Sequence, residues 1–293
     1  ERPPKGGPLG LDLWGRRSVS PTRRSTRRSP AARWARCAAV LALVPVTATA
    51  CSTEEWARGA MPENITEQGN RVLSLWQGSW VAALATGVLV WGLILYACIF
   101  HRKRRRKNAD SELPPQVRYN LPIEILYTAI PIVMVAVFFY FTARDQDYLL
   151  EKSANPDVKV KVEAFQWSWR FTTEYQGKTA TVTGLPVSDY REGPQLVLPS
   201  GGKTVRFTLE SNNVIHSFWV PAFLFKMDVI PGVTNEFEVK TLDRNGVFAG
   251  RCAELCGQDH ARMLFNVKLV PQAEFEQYMN TQATNAQAAG STQ

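Results

Sequence analysis

Between residues 250 and 263 the chain reads GRCAELCGQDHARM, which sets Cys252, Cys256, His260 and Met263 within twelve positions. The whole chain has three histidines, so one of a scarce residue type is used here. Three chemistries fit such a stretch. A disulfide between Cys252 and Cys256 suits an oxidising compartment but leaves His260 and Met263 without a role. A structural zinc site takes four ligands of the Cys and His kind, and neither a methionine nor this spacing belongs to it. Copper accepts thiolate, imidazole and thioether together, and a Cys, a His and a weak Met on one loop is the arrangement of a blue-copper site. Such a site draws a second histidine from an upstream strand. His216, in NNVIHSFWVP and 36 residues before Cys252, is the candidate, although a histidine beside Phe218 and Trp219 also reads as an ordinary core residue. Cys252 is then one thiolate more than a single copper uses. Two thiolates and two imidazoles suit a pair of copper ions sharing one unpaired electron, so that each bond changes little on reduction.

These residues need a scaffold, and the flanking sequence reads as strands. VKVKVEA (158–164), KTVRFTLE (203–210), TNEFEVK (234–240) and RMLFNVKLV (262–270) are largely alternating in polarity. Gly-Pro, Pro-Ser-Gly-Gly, Pro-Gly and Asn-Gly turns separate them. The spacing predicts an antiparallel β-sandwich or barrel over 144–280, with the 250–263 stretch as a loop between two strands. PQAEFEQYM (271–279) predicts a short closing helix with Pro at its start, and the polar tail 281–293 predicts disorder.

Ahead of the sandwich lie two apolar stretches. GSWVAALATGVLVWGLILYACIF (78–100) carries no charge and is long enough to cross about 30 Å of hydrocarbon. Trp76, Trp80 and Trp91 sit near or within it, as interfacial aromatics do. LPIEILYTAIPIVMVAVFFYFTA (121–143) is a second such stretch, with Glu124 near its start and Pro131 inside it. An acid in a span is costly and marks function, but one this close to the end also reads as an interfacial carboxylate. The loop 101–120 holds six consecutive Lys/Arg at 102–107, which places it on the cytoplasmic side and both flanking segments outside. The expected topology is therefore a transmembrane hairpin, with segment 51–77 and the sandwich exported.

The first fifty residues read as a leader. RRSTRRSPAARWAR (23–36) is cationic, CAAVLALVPVTATA (37–50) is a short apolar stretch ending in small residues, and Cys51 follows. That is the layout of a cleaved signal, and Cys51 resembles a bacterial lipoprotein processing site despite Ala48, where a larger aliphatic residue is usual. Residues 1–22 read as disordered leader or an over-long start. The formal charge of +8 belongs entirely to residues 1–50, with ten Lys/Arg against two acids, because the remaining 24 of each sign cancel. Once the leader is removed, a nucleic-acid partner is not expected.

HSFWVP, KMDVIPG and CAELCGQDHARM together resemble the subunit 2 family of the haem–copper cytochrome c oxidases, over roughly residues 70–280. The resemblance implies a cupredoxin-like domain with a binuclear copper centre, called CuA. It implies that Cys252 and Cys256 bridge two copper ions, with His216 and His260 ligating one each. Met263 and the backbone carbonyl of Glu254 would be weak ligands, and the Glu254 side chain would reach a magnesium at the contact with subunit 1. FQWSW (165–169) is similar to the family's aromatic stretch, with Trp167 where electrons enter, but Phe165 and Ser168 depart from its common His and Tyr. Glu124 in PIEILYT matches a glutamate at the mouth of a proton pathway. Implied partners are subunits 1 and 3 and a c-type cytochrome, soluble or within a supercomplex. The rivals are a membrane-tethered copper store or delivery protein and the CuA subunit of a nitric oxide reductase. Nitrous oxide reductase would need more histidines, and quinol oxidase subunits lack the copper ligands.

Overall fold

The computed structural model describes residues 52–101 and 117–290, without the side chains of 285–290. The leader 1–50, Cys51 and most of the basic loop lie outside the described residues.

A short helix α1 (Thr53–Ala57) precedes two long ones, α2 (Glu67–Phe100) and α3 (Leu121–Leu150). Both long helices are apolar and long enough to cross a membrane, and their apolar windows are unburied by the rest of the chain. Each overruns its predicted span. At 1.5 Å per residue α2 is about 50 Å long, so its first turns project beyond a hydrocarbon layer of about 30 Å. Apolarity marks only the part that meets lipid, while the caps mark the helix ends. Thr66 caps α2, its side chain accepting from Gly69 N at 3.1 Å. Asn120 caps α3 through Ile123 N at 3.4 Å, and the Glu124 carboxylate reaches back to Asn120 N at 3.0 Å.

The part that follows α3 is a cupredoxin-like sandwich of two five-stranded sheets. One holds β3 (Lys178–Thr183), β2 (Ser168–Tyr175), β1 (Val158–Phe165), β5 (Thr204–Ser211) and β8 (Asn235–Lys240), in that order. The other holds β4 (Gln195–Pro199), β10 (Leu264–Val270), β9 (Gly246–Cys252), β6 (His216–Val220) and β7 (Phe225–Val229). The four predicted strands correspond to β1, β5, β8 and β10. The sheets are not purely antiparallel, since β1 runs parallel to β5 and β4 to β10. Alternation reveals which residues face inward, but not the direction of a neighbour brought in by a long crossover.

Inward faces from both sheets meet in one core. Trp169, Phe171, Phe207, Phe218, Phe237 and Phe265 are all buried there, and Phe207 and Phe237 stack with centroids 4.7 Å apart. Such a pair adds about 0.5–1.5 kcal/mol beyond its buried area. Gly250 makes room for this cluster on β9, because a Cβ there would lie 2.1 Å from the Phe265 ring.

The closing helix α4 (Gln272–Gly290) seals one end with buried Phe275 and Met279. It also corrects an expectation, for the tail predicted to be disordered from 281 is helical as far as Gly290. Thr281 and Thr284 bond back to Gln277 O and Asn280 O, at 2.9 and 3.0 Å. Once a packed first turn has nucleated the helix, an alanine-rich run propagates it at little cost.

Segment 61–66, ahead of the first long helix, joins the sandwich. Ile65 is fully buried in the core, its N–H donates to Ala222 O at 3.0 Å, and its carbonyl accepts from Leu242 N at 2.9 Å. Thr66 bridges Thr241. Replacing Ile65 by Ala is expected to lower the unfolding free energy of the sandwich by about 2–5 kcal/mol. Val88→Ala, on the exposed face of α2, is expected to leave it unchanged. Denaturant titration of both full-length variants checks this.

Candidate metal centre

Strand pairing closes the 36-residue gap between His216 and the loop. β6 starts at His216 and pairs with the end of β9, Phe218 opposite Cys252. Ala253 N donates to Ser217 O at 3.0 Å, and Cys252 N to Met263 O at 3.2 Å. The loop thus leaves β9 at Cys252 and returns into β10 at Met263, through a 3-10 turn over His260–Arg262. This turn is why β10 begins at Leu264 and not at the predicted 262.

The donor atoms converge. The Cys252 and Cys256 sulfurs are 3.8 Å apart, far beyond a disulfide bond, and both thiols are free. Each sulfur faces one imidazole: His216 Nδ1 lies 3.9 Å from Cys252 Sγ, and His260 Nδ1 lies 3.6 Å from Cys256 Sγ. Met263 Sδ is 3.8 Å from Cys256 Sγ, and the Glu254 carbonyl is 3.2 Å from Cys252 Sγ. His216, Cys252 and Cys256 present their ligand atoms within 4.8 Å of one another, all buried. Met263 is buried as well, and His260 is partly exposed.

Aromatic side chains hold this loop from the opposite sheet. Trp169 Nε1 donates to Met263 O at 3.2 Å. Trp167 Nε1 and Gln166 Nε2 both donate to Cys256 O, at 3.1 and 2.9 Å. Gly257 permits that approach, because a Cβ on it would meet Trp167 Nε1 at 2.9 Å.

The family model for the cytochrome C oxidase subunit II periplasmic domain matches residues 158–270. A probable cytochrome c oxidase subunit 2 of Streptomyces avermitilis is 50% identical over 277 residues, covering 84% of this chain and 85% of the relative. This chain belongs to the cytochrome c oxidase subunit 2 family. The cytochrome c oxidase subunit 2 of Mycobacterium tuberculosis is 37% identical over 305 residues, covering 86% of this chain and 83% of that one. Among solved structures, the periplasmic domain of subunit II of cytochrome oxidase from Bradyrhizobium japonicum is 30% identical, with a TM-score of 0.41 over 46% of this chain and 99% of that one.

For a cytochrome c oxidase subunit 2 chain, the six expected ligand positions gather around the two sulfurs, while Glu124 and the side chain of Glu254 point elsewhere. Glu124 lies at the start of α3, where it caps the helix. The Glu254 side chain is exposed, with its carbonyl turned to the sulfurs. Trp167 and Trp169 do not share one strand face. Trp167 lies in the β1–β2 turn and is partly exposed, while Trp169 is core. Gln166 and Asn213 also touch the site. Asn213 Oδ1 lies 3.1 Å from His216 Nε2, and only its position three residues before a histidine hinted at this.

The donor set fits a soft cation. Burial, reinforced by the neighbouring His260, holds His216 down to about 4 from 6.5. Burial and the neighbouring Cys252 push the Cys256 thiol up to about 12 from 9.0. A Cys256 thiol held protonated by burial and its neighbour, beside an imidazole kept neutral, suits a metal whose charge would stabilise the thiolate. The metal-free fold has the opposite problem. Between about pH 4 and 6.5 the unfolded chain holds a proton on His216 that the fold does not, so stability rises with pH there. Above about 9 the unfolded chain releases a Cys256 proton that the fold retains, so stability falls as pH rises. Metal-free protein is therefore expected to melt at its highest temperature between about pH 6.5 and 9, with His216→Gln flattening the acid side. Calorimetry across pH checks both limbs.

Proposed function

We propose that this chain is the electron-accepting subunit 2 of a bacterial aa3-type cytochrome c oxidase. It takes electrons from a c-type cytochrome at the outer face and passes them to subunit 1, where oxygen is reduced to water and protons are pumped. One observation carries this reading: two free, buried sulfurs 3.8 Å apart, each facing the Nδ1 of a different histidine. A mononuclear copper site uses one thiolate, whereas this pocket is built symmetrically around two.

Cys252 and Cys256 would bridge two copper ions, with His216 and His260 each terminal on one. Met263 and the Glu254 carbonyl would be the weak ligands. When bound, the metal pair supplies a one-electron acceptor whose hole is shared over both ions and both sulfurs. The protein's part is to hold the ligands on paired strands and keep water away. Four of the five side-chain ligands are buried, so little solvent reorganises when the charge changes.

Trp167 is the side chain through which electrons would arrive. Its partly exposed indole is bonded to the Cys256 carbonyl, which offers a path of one hydrogen bond and a few covalent bonds to a sulfur. The Glu254 side chain would serve a magnesium where subunit 1 meets the domain, and Glu124 would sit at the mouth of a proton pathway. Two membrane-capable helices followed by the sandwich support an outer-face position for the metal site, where it would lie beside subunits 1 and 3. Cys51 would carry the lipid of a processed N-terminus.

Copper-loaded protein is expected to give a seven-line EPR hyperfine pattern, which Cys252→Ser abolishes. A four-line pattern in the parent chain means a single copper and defeats the binuclear reading, leaving a copper store or delivery role. In the assembled oxidase, Trp167→Phe is expected to slow electron transfer from cytochrome c at least tenfold, about 1.4 kcal/mol in barrier, with the EPR pattern intact. Stopped-flow reduction reads the rate, and an unchanged rate removes Trp167 from the route.

A further inference from the structure

Three segments far apart in sequence meet beside the metal centre through two side-chain amides. Gln166 Nε2 donates to Cys256 O at 2.9 Å. Asn213 Nδ2 donates to Gln166 Oε1 at 3.3 Å. Asn213 Oδ1 accepts from Val214 N at 2.7 Å and lies 3.1 Å from His216 Nε2. The chain of contacts runs from the backbone of one expected ligand, Cys256, to the ring of another, His216.

We propose that Gln166 and Asn213 form a one-way hydrogen-bond belt that sets the tautomer of His216, protonating Nε2 and presenting a bare Nδ1 to the metal side. This rests on the reading of His216 as a copper ligand. The direction follows from the fixed polarity of the two backbone ends. A carbonyl only accepts, so Gln166 must turn its NH2 to Cys256 and its oxygen to Asn213. Asn213 must then turn its own NH2 to Gln166 and its oxygen to His216. The Val214 N–H only donates, so it demands the same Asn213 oxygen independently. Reversing Asn213 would set donor against donor at Val214 and acceptor against acceptor at Gln166. An accepting Oδ1 beside Nε2 requires the proton on Nε2, and the lone pair is left on Nδ1, the nitrogen that faces Cys252 Sγ at 3.9 Å. Metal-bound histidines commonly need such a partner on the second ring nitrogen to hold tautomer and ring orientation. Here that partner is an amide whose own orientation is set by the Cys256 end of the site. Gln166 and Asn213 are thus positioning residues, acting through His216 and the loop.

The test uses the full-length chain labelled with 15N only in histidine, which gives three imidazoles to assign. In metal-free protein at neutral pH, long-range nitrogen–proton correlation should show His216 protonated on Nε2 and bare on Nδ1. Asn213→Leu should abolish that preference. Asn213→Asp, which keeps an oxygen toward Val214 and His216, should preserve it. Copper loss from the purified oxidase to a strong chelator should speed up about 10- to 100-fold in Asn213→Leu. Gln166→Leu should also speed it, and Asn212→Leu should not. A proton on Nδ1 in the parent protein overturns the proposal. So does an Asn213→Leu variant with unchanged tautomer and unchanged copper loss, and an unaltered Gln166→Leu variant removes Gln166 from the belt. If the parent protein gives a four-line EPR pattern, the binuclear reading falls, while the metal-free tautomer still decides the belt.

Discussion

Two thiols held 3.8 Å apart with almost no solvent between them set the terms for the rest of this structure. In such a place burial and the neighbouring Cys252 push the Cys256 thiol up, so a cation is needed to hold it as a thiolate. The fold therefore carries a buried donor set that the charge of a soft metal would stabilise. Everything around the site resists its collapse. Strand pairing fixes the Cys252 and Met263 backbones against each other, and indole N–H groups from the opposite sheet pin the carbonyls of Cys256 and Met263. The ligand loop is held at its backbone, so its side chains can be given over to metal binding.

The sandwich is also tied to the helices that precede it. Ile65 fills the core and Thr66 both bridges Thr241 and caps α2, so the first long helix starts from a residue hydrogen-bonded to the domain. Lys240 N bonds the Gln68 side chain at 2.9 Å, and the Lys240 ammonium pairs with Glu67 at 2.9 Å. Where α3 leads into the sandwich, buried Glu238 accepts from Ser153 and from Arg206, whose guanidinium also bonds the Ser153 carbonyl. A buried carboxylate of this kind is tolerated because its oxygens are occupied, and removing Arg206 would strand it. The sandwich is therefore coupled to both long helices by packed and hydrogen-bonded links.

The candidate donor types were readable in the sequence, because chemistry narrows what two cysteines, a histidine and a methionine can hold. The two long apolar helices were readable because such runs stand out in composition, and the inward faces of β1 and β5 because alternation reports burial, whereas β8 and β10 bury consecutive residues. What the chain alone could not decide depends on contacts remote in sequence. Parallel pairing of β1 with β5 arises from a crossover, to which local alternation is blind. The helical run past residue 280 follows from a first turn packed on the sandwich, since a polar composition signals disorder only when nothing nucleates it. Trp167 and Trp169, two residues apart, were separated into turn and core by where β2 begins at Ser168. The contact between the Gln166 and Asn213 amides carries no sequence signal, for a hydrogen bond spanning 47 positions leaves no local pattern. The sequence by itself determined which soft donor atoms are on offer and which segments are long and apolar. Only the tertiary structure decided which of those atoms face one another, because hydrogen-bond direction and sheet pairing are properties of the folded chain.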